Sequence, residues 1–361
     1  MSMLFEPIEI NGMKVLNRFV RSATNDRGTD GAGRVTDPLV EVYAKLAAGG
    51  IGLIITGHAY VTLNGKASPT MLGVDSDDLV PGLKRLADAV HRYDSKIVLQ
   101  LSHAGRQTAA ATIGETPVAP SAVYNPITKE TPRAFTGEEI EALIAAYGAA
   151  AGRAVAAGFD GVQIHSAHGY LGSQFISPYT NRRTDRWGGT LANRMRFLRE
   201  VLRCIRQVVG DHYPVLIKLN SEDLLEGGLT VAEATEIAGV LSREGIDAIE
   251  ISGGMAESPI GFARTDIIEE DDEAYFLPNA RNIKAVTSVP LILVGGLRSQ
   301  HLLERLLQNG DADMVALSRP FIREPDLVNR WKQGDRKKAD CISCNGCWKF
   351  RDEPVRCILL D

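Results

Sequence analysis

The sequence predicts a single closed (β/α)8 TIM barrel. Eight short runs rich in β-branched residues recur along the chain, and a helical pattern of apolar residues separates most of them from the next. No run opens into the Gly-x-Gly-x-x-Gly turn that starts a doubly wound nucleotide-binding sheet. At 361 residues the chain fits one such barrel with a short appendage.

The runs occupy 15–23, 51–57, 96–101, 161–165, 215–219, 248–252, 290–296 and 313–318. Each is almost continuously apolar, as strands covered on both faces of a parallel sheet must be. Helix starts are written between them. Thr36-Asp37-Pro38 offers a cap with proline at the first turn, followed by Leu39, Val42, Tyr43 and Leu46 on one face. Thr136-x-x-Glu139 and Thr230-x-x-Glu233 are capping boxes ahead of further helical patterns. Gly49, Gly158 and Gly245 stand where helices should stop. Within 5–15, Asn11-Gly12 between alternating apolar positions predicts an N-terminal β-hairpin, placed here as a cap on the bottom of the barrel. Residues 1–338 are assigned to the barrel and 339–361 to a cysteine-rich tail packed on it.

A formal net charge of −5 provides no basic field for nucleic acid or an anionic membrane surface. No apolar run approaches the ~20 residues that span a bilayer. The first residues, MSMLFEPIEINGMK, carry neither the apolar core of a secretory signal nor the Arg- and Ser-rich character of a transit peptide. A cytoplasmic homo-oligomer acting on a small molecule is expected. Cys204 stands alone, whereas Cys341, Cys344, Cys347 and Cys357 fall within the last 21 residues. In an intracellular chain that crowding points to metal or redox chemistry rather than a disulfide framework.

Active sites of such barrels lie at the carboxyl ends of the strands. There the third run ends in Gln100, Ser102, His103, Gly105 and Arg106, and the fourth in His165, His168 and Tyr170. The fifth supplies Lys218, Asn220 and Glu222, the seventh Gly295-Gly296 and the eighth Ser318-Arg319. The loops after strands seven and eight form the phosphate site of this fold; the glycines let backbone N–H groups approach an anion and Arg319 supplies a clamp. The alternative is a tight turn beside a surface arginine. His165 and His168 suit a pair of hydrogen-bond donors to a developing oxyanion, with Tyr170 as proton source, since a phenol of pKa about 10 keeps its proton at neutral pH. Metal binding competes but lacks a third ligand, and a structural histidine pair is the other alternative. Proton delivery beside an oxyanion site suits hydride addition to an activated C=C bond, and none of these residues supplies hydride, so a cofactor must.

Read in order, NRFVRSAT, GLIITGHAYV, LQLSHAGRQ, GFDGVQIHSAHGYLGSQFISPYTNRRTDRWGG, KLNSED, LVGGLRS and VALSRPFIREPDL carry a resemblance over essentially the whole chain. It resembles the Old Yellow Enzyme family of NADH:flavin oxidoreductases, in particular the branch containing the flavin domain of 2,4-dienoyl-CoA reductase and trimethylamine dehydrogenase. The resemblance implies an FMN-dependent oxidoreductase with NAD(P)H as electron donor. It implies that Gln100 and Lys218 contact the polar edge of the isoalloxazine, that Ala23, Thr24, Gly57 and His58 line the flavin, and that Gly295, Gly296, Ser318 and Arg319 hold its phosphate. His165 and His168 match the pair that binds the acceptor oxygen, and Tyr170 matches the proton donor. Asn25 and Arg27 replace a cysteine and a tyrosine found in one branch, on the substrate side. Arg27 suits a substrate carboxylate or phosphate, with a surface role as the alternative.

The tail reads C-x2-C-x2-C-x9-C, with Asn345-Gly346 permitting a positive-φ turn between ligands. It resembles the [4Fe-4S] ligand set of the dienoyl-CoA reductase branch, with a shorter final spacer. Zinc fits the same four residues, and a tail that holds no metal is the third alternative. With Asp361 following closely, two electron routes are open: NAD(P)H entering the flavin pocket, or a redox partner protein acting through the tail. The leading expectation is an ene-reductase. An amine or other donor dehydrogenase, or an electron-transfer flavoprotein subunit using the tail cluster, is the alternative.

Overall fold

The computed structural model describes residues 2–350 and 354–360. Positions 351–353, inside the predicted Cys347–Cys357 loop, therefore lie outside the described residues, as does Asp361. Eight strands form the barrel: β1 (Phe19–Arg21), β2 (Leu53–Ile55), β3 (Lys96–Ser102), β4 (Gly161–Ser166), β5 (Val215–Asn220), β6 (Ala248–Ser252), β7 (Leu291–Leu293) and β8 (Met314–Leu317). Each pairs in parallel with the next, and β8 pairs with β1 to close the ring. Around it lie α1 (Asp37–Ala48), α2 (Val80–His91), α3 (Gly137–Ala156), α4 (Arg196–Val209), α5 (Val231–Arg243), α6 (Leu277–Lys284), α7 (Gln300–Gln308) and α8 (Leu327–Lys332).

The period-2 geometry of a strand explains why the runs are apolar throughout. Outward residues such as Phe19, Ile54, Leu99, Ile164, Ile217, Ile249, Leu293 and Val315 pack in the layer beneath the helices. Inward residues Val20, Leu53, Val98, Leu216, Ala248, Ile292 and Met314 form a second cluster inside the barrel. The antiparallel hairpin Ile8–Ile10/Met13–Val15 plugs that inner cluster from below with Ile10, Met13 and Val15. Its turn is built as read, with Asn11 at φ 43° and Gly12 at φ 80°.

Both capping boxes close at the starts of α3 and α5. Thr36 precedes α1, but its hydroxyl bonds the Gly28 carbonyl instead of a helix N–H. At the end of α1 it is Gly50, at φ 89°, that turns left-handed, and Gly49 continues helical. The first apolar run is divided between two elements. Asn17 Oδ1 accepts from the N–H groups of Phe19 and Gly52, bending the chain so that 13–15 stays in the hairpin and the barrel strand starts at Phe19. Among the described residues no helix is long and apolar enough to cross a membrane.

Candidate active site at the carboxyl mouth

The carboxyl ends of the strands surround a cavity of about 650 Å³. It gathers Ala23, Thr24, Asn25, Arg27, His58, Gln100, His165, His168, Tyr170, Lys218, Gly296, Ser318 and Arg319, together with Cys347 from the tail. Gly57 and Gly295 stand behind this lining. Gly57 donates its N–H to the Tyr43 hydroxyl at 2.9 Å, and a Cβ there would come within 2.5 Å of the Thr24 carbonyl oxygen. Its bareness lets the end of β2 pack on the chain segment that carries Thr24.

Strand register builds the floor. Gln100 is opposite Gln163, His165 opposite Lys218, and Lys218 opposite Glu250. Lys218 Nζ donates to Glu250 Oε1 and to Ser22 Oγ, each at 2.7 Å. Gln100 donates to Gln163 at 2.7 Å. A buried lysine keeps its charge only beside such a counter-charge.

One wall is aromatic. The His58 ring meets Tyr170 at 4.9 Å, Tyr170 meets His165 at 4.8 Å, and His165 meets His168 at 5.5 Å between centroids. His168 sits at φ 63° after β4, with its Nε2 2.7 Å from Ser252 Oγ. Burial pushes the His58 pKa down to about 4. Burial first, then the His168, His58 and Lys218 charges, holds His165 well below the ordinary histidine range; His168 is lowered by burial, Lys218 and His58. Burial raises the Tyr170 phenol to about 12, opposed by Arg27. At neutral pH this wall holds neutral imidazoles and a protonated phenol. Among the described residues, His165 Nδ1 and both His58 ring nitrogens are buried without a hydrogen-bond partner.

The opposite end is cationic. Gly296, at φ 72°, turns the backbone after β7, where a Cβ would press to 3.0 Å on the Tyr275 ring. Arg298 and Arg319 line this end, and Thr24 Oγ1 lies 2.8 Å from Ser318 Oγ. Arg298 escaped the sequence reading although it stands two residues past the glycine pair. Arg319 Nη1 donates to the carbonyls of Arg264 at 2.8 Å and Ser343 at 2.9 Å, and to Asn345 Oδ1 at 2.7 Å. It therefore ties the β8 end to the tail as well as facing the cavity.

The tail folds over the mouth. Arg27 Nη1 donates to the carbonyls of Trp348 and Phe350, and the Val355 N–H donates to the Asp26 carbonyl at 3.0 Å. Cys347, Trp348 and Val355 thereby reach the cavity. Phe262 stacks on His168 at 4.7 Å and lies 5.5 Å from Trp348. Neither aromatic ring was anticipated: Phe262 comes from an irregular loop and Trp348 from a single 3-10 turn in the tail. The four tail thiols line one small recess beside Arg319, and Asn345 takes the positive φ expected of it, at 56°. Among the described residues no three His, Cys, Asp or Glu side chains converge on a point that would hold a single metal ion.

Arg298 and Arg319 beyond β7 and β8 and the neutral proton donors beyond β4 suit a phosphate-tethered redox cofactor between them, which places the protein among the barrel oxidoreductases. The chain belongs to the NADH:flavin oxidoreductase / NADH oxidase family, the old yellow enzyme family, which it matches over residues 3–338. It is 38% identical over 363 residues to a metal reductase of Desulforamulus reducens, across 99% of this chain and 53% of that protein. To an NADPH dehydrogenase of Clostridium acetobutylicum it is 38% identical over 327 residues, 90% of this chain and 93% of that one. A solved 2-naphthoyl-CoA reductase in complex with 2-naphthoyl-CoA superposes with a TM-score of 0.93 at 34% identity, over 98% of this chain and 56% of that. The chain spans about half the length of the metal reductase and of the naphthoyl-CoA reductase. Its family makes it an oxidoreductase, with FMN and NAD(P)H as the implied cofactors.

Proposed function

We propose that this chain catalyses NAD(P)H-dependent reduction of an activated C=C bond with FMN held in the mouth cavity. FMN bound there supplies the hydride transfer that no side chain can. The residues fit it. Arg298, Arg319, Ser318 and the backbone at Gly296 hold the phosphate, with Gly295 shaping the turn. Gln100 and Lys218 meet the polar edge of the ring, and the backbone at Ala23 and Thr24 runs alongside, supported by Gly57. His165 and His168, neutral and close together, donate hydrogen bonds to the acceptor's carbonyl oxygen and take up charge developing there. His58 packs Tyr170 in place, and Tyr170 holds the proton that goes to the substrate carbon. Asn25 and Arg27 edge the substrate side, where Arg27 acts first as a strut for the tail.

The observation that carries this reading is the Tyr170 ring packed 4.8 Å from the His165 ring in a cavity that Arg298 and Arg319 also line. Among the described residues the cavity lining includes no aspartate or glutamate. The test is a visible spectrum of freshly purified protein, then steady-state reduction of 2-cyclohexenone or N-ethylmaleimide with NADH and NADPH. A flavin spectrum and turnover are expected. Folded protein that stays colourless after added FMN refutes the proposal.

The position of Cys347 in the cavity lining favours a second element, a metal centre on Cys341, Cys344, Cys347 and Cys357 that exchanges electrons with a partner protein. A [4Fe-4S] cluster is favoured over zinc. Tetrahedral zinc needs four thiolates about 2.3 Å from one point, whereas a cluster takes each thiolate on its own iron. Iron, sulfide and zinc assays on anaerobically purified protein decide it, with iron and sulfide expected.

A further inference from the structure

Below the cavity floor runs a polar network whose centre never reaches the cavity. Glu250 on β6 has no exposed surface. Its Oε1 accepts from Ser22 Oγ at 2.6 Å and from Lys218 Nζ at 2.7 Å, and its Oε2 accepts from Gln163 Nε2 at 2.9 Å. Gln163 Oε1 in turn accepts from Gln100 Nε2 at 2.7 Å. Ser22, Gln100 and Lys218 line the cavity, whereas Glu250 and Gln163 do not.

An ionised carboxylate only accepts hydrogen bonds. Gln163 must therefore turn its amide NH2 to Glu250, which leaves its carbonyl for Gln100. Gln100 must then turn its own NH2 to Gln163, so its carbonyl oxygen is left for the cavity. The same carboxylate cancels the Lys218 charge at contact distance. One buried anion thus governs both polar side chains proposed to meet the flavin ring.

We infer that Glu250 is a positioning residue that sets the charge offered by Lys218 and the amide polarity offered by Gln100, and so lowers the reduction potential of the bound flavin. The inference rests on the FMN reading above. Its sign is what a packing role lacks: in a low-dielectric interior, removing a negative charge near the ring favours the more negative, reduced flavin.

The experiment measures flavin midpoint potentials by anaerobic dye equilibration on full-length, FMN-loaded protein. Four forms are compared: wild type, Glu250→Gln, Lys218→Met and the double variant. Glu250→Gln is expected to shift the potential positive and Lys218→Met to shift it negative. The double variant, which replaces a neutral pair by a neutral pair, is expected to return toward wild type. If Glu250→Gln fails to fold, the step from Lys218→Met to the double variant reads the same charge and must be positive. A wild-type chain that takes up no FMN refutes the proposed function. A wild type that holds FMN, with no positive step when the Glu250 charge is removed, refutes only this inference, and loss of stability or flavin affinity without that step counts as a packing role.

Discussion

Tyr170 illustrates how one residue acquires its chemistry from its neighbours. Tyr170 stands at the N-cap position of the short helix Leu171–Ile176, and its ring packs edge-on to His58. Burial drives its pKa upward, so the proton stays on through the neutral range. Tyr170→Phe keeps the ring packing and removes the proton. Reoxidation of the flavin by 2-cyclohexenone is expected to slow by about 100-fold or more, with reduction by NAD(P)H unchanged in single-turnover experiments; equal reoxidation rates remove Tyr170 from the mechanism. Because this phenol titrates near 12 and His58 near 4, the rate with enone is expected to stay flat between about pH 6 and pH 9. His165, His168 and Tyr170 were legible in the sequence because three polar groups interrupt an apolar run at the mouth end of a strand. Glu250 was not. A lone glutamate in AIEIS carries no local sign of the lysine one strand away, and only the register reveals it.

At the scale of elements, the strands and capping boxes were legible because their signals are local. Burial on both faces leaves an unbroken apolar run, and a capping box needs only four residues. Thr230→Ala should accordingly cost about 1 kcal/mol, measured by urea denaturation, since Thr230 accepts from the Glu233 N–H at the start of α5. The tail's path was not legible, since it depends on two arginines far away in sequence. Arg27 holds it through the carbonyls of Trp348 and Phe350, and Arg319 through Ser343 and Asn345. Arg319→Ala is therefore expected to act twice. Loss of a charged hydrogen bond to phosphate, worth about 1.5–3 kcal/mol, should weaken FMN binding by roughly 10- to 100-fold in a fluorescence titration. The freed tail should also become more susceptible to limited proteolysis after residue 339. Full flavin retention after dialysis would count against the phosphate assignment.

For the whole molecule, the fold accommodates four histidines that burial holds neutral: His58 near 4, His103 near 3, and His165 and His168 well below the ordinary range. In the unfolded chain each titrates near 6.5. Below that pH the unfolded state binds protons that the native state refuses, so unfolding takes up protons and stability falls as pH drops. Above it, both states carry neutral rings and stability is level. Each histidine adds a slope approaching about 1.4 kcal/mol per pH unit once its unfolded form is protonated. Asp26, Asp75 and Asp223 act in the opposite sense, because burial raises their pKa values and the native state binds their protons first. Their effect enters above their ordinary value near 3.8 as acid protonates the native state, so it moderates the loss. Urea denaturation of protein with constant FMN occupancy, at about pH 8.5, 7.5 and 5.5, is expected to give equal stability for the upper pair within about 1 kcal/mol and a clear loss at the lowest pH. His58→Gln should reduce that loss by about one histidine's share. A wild-type stability that holds level down to pH 5.5 would mean that these rings exchange protons freely in the native state, and the neutral wall assigned to the acceptor oxygen would not exist.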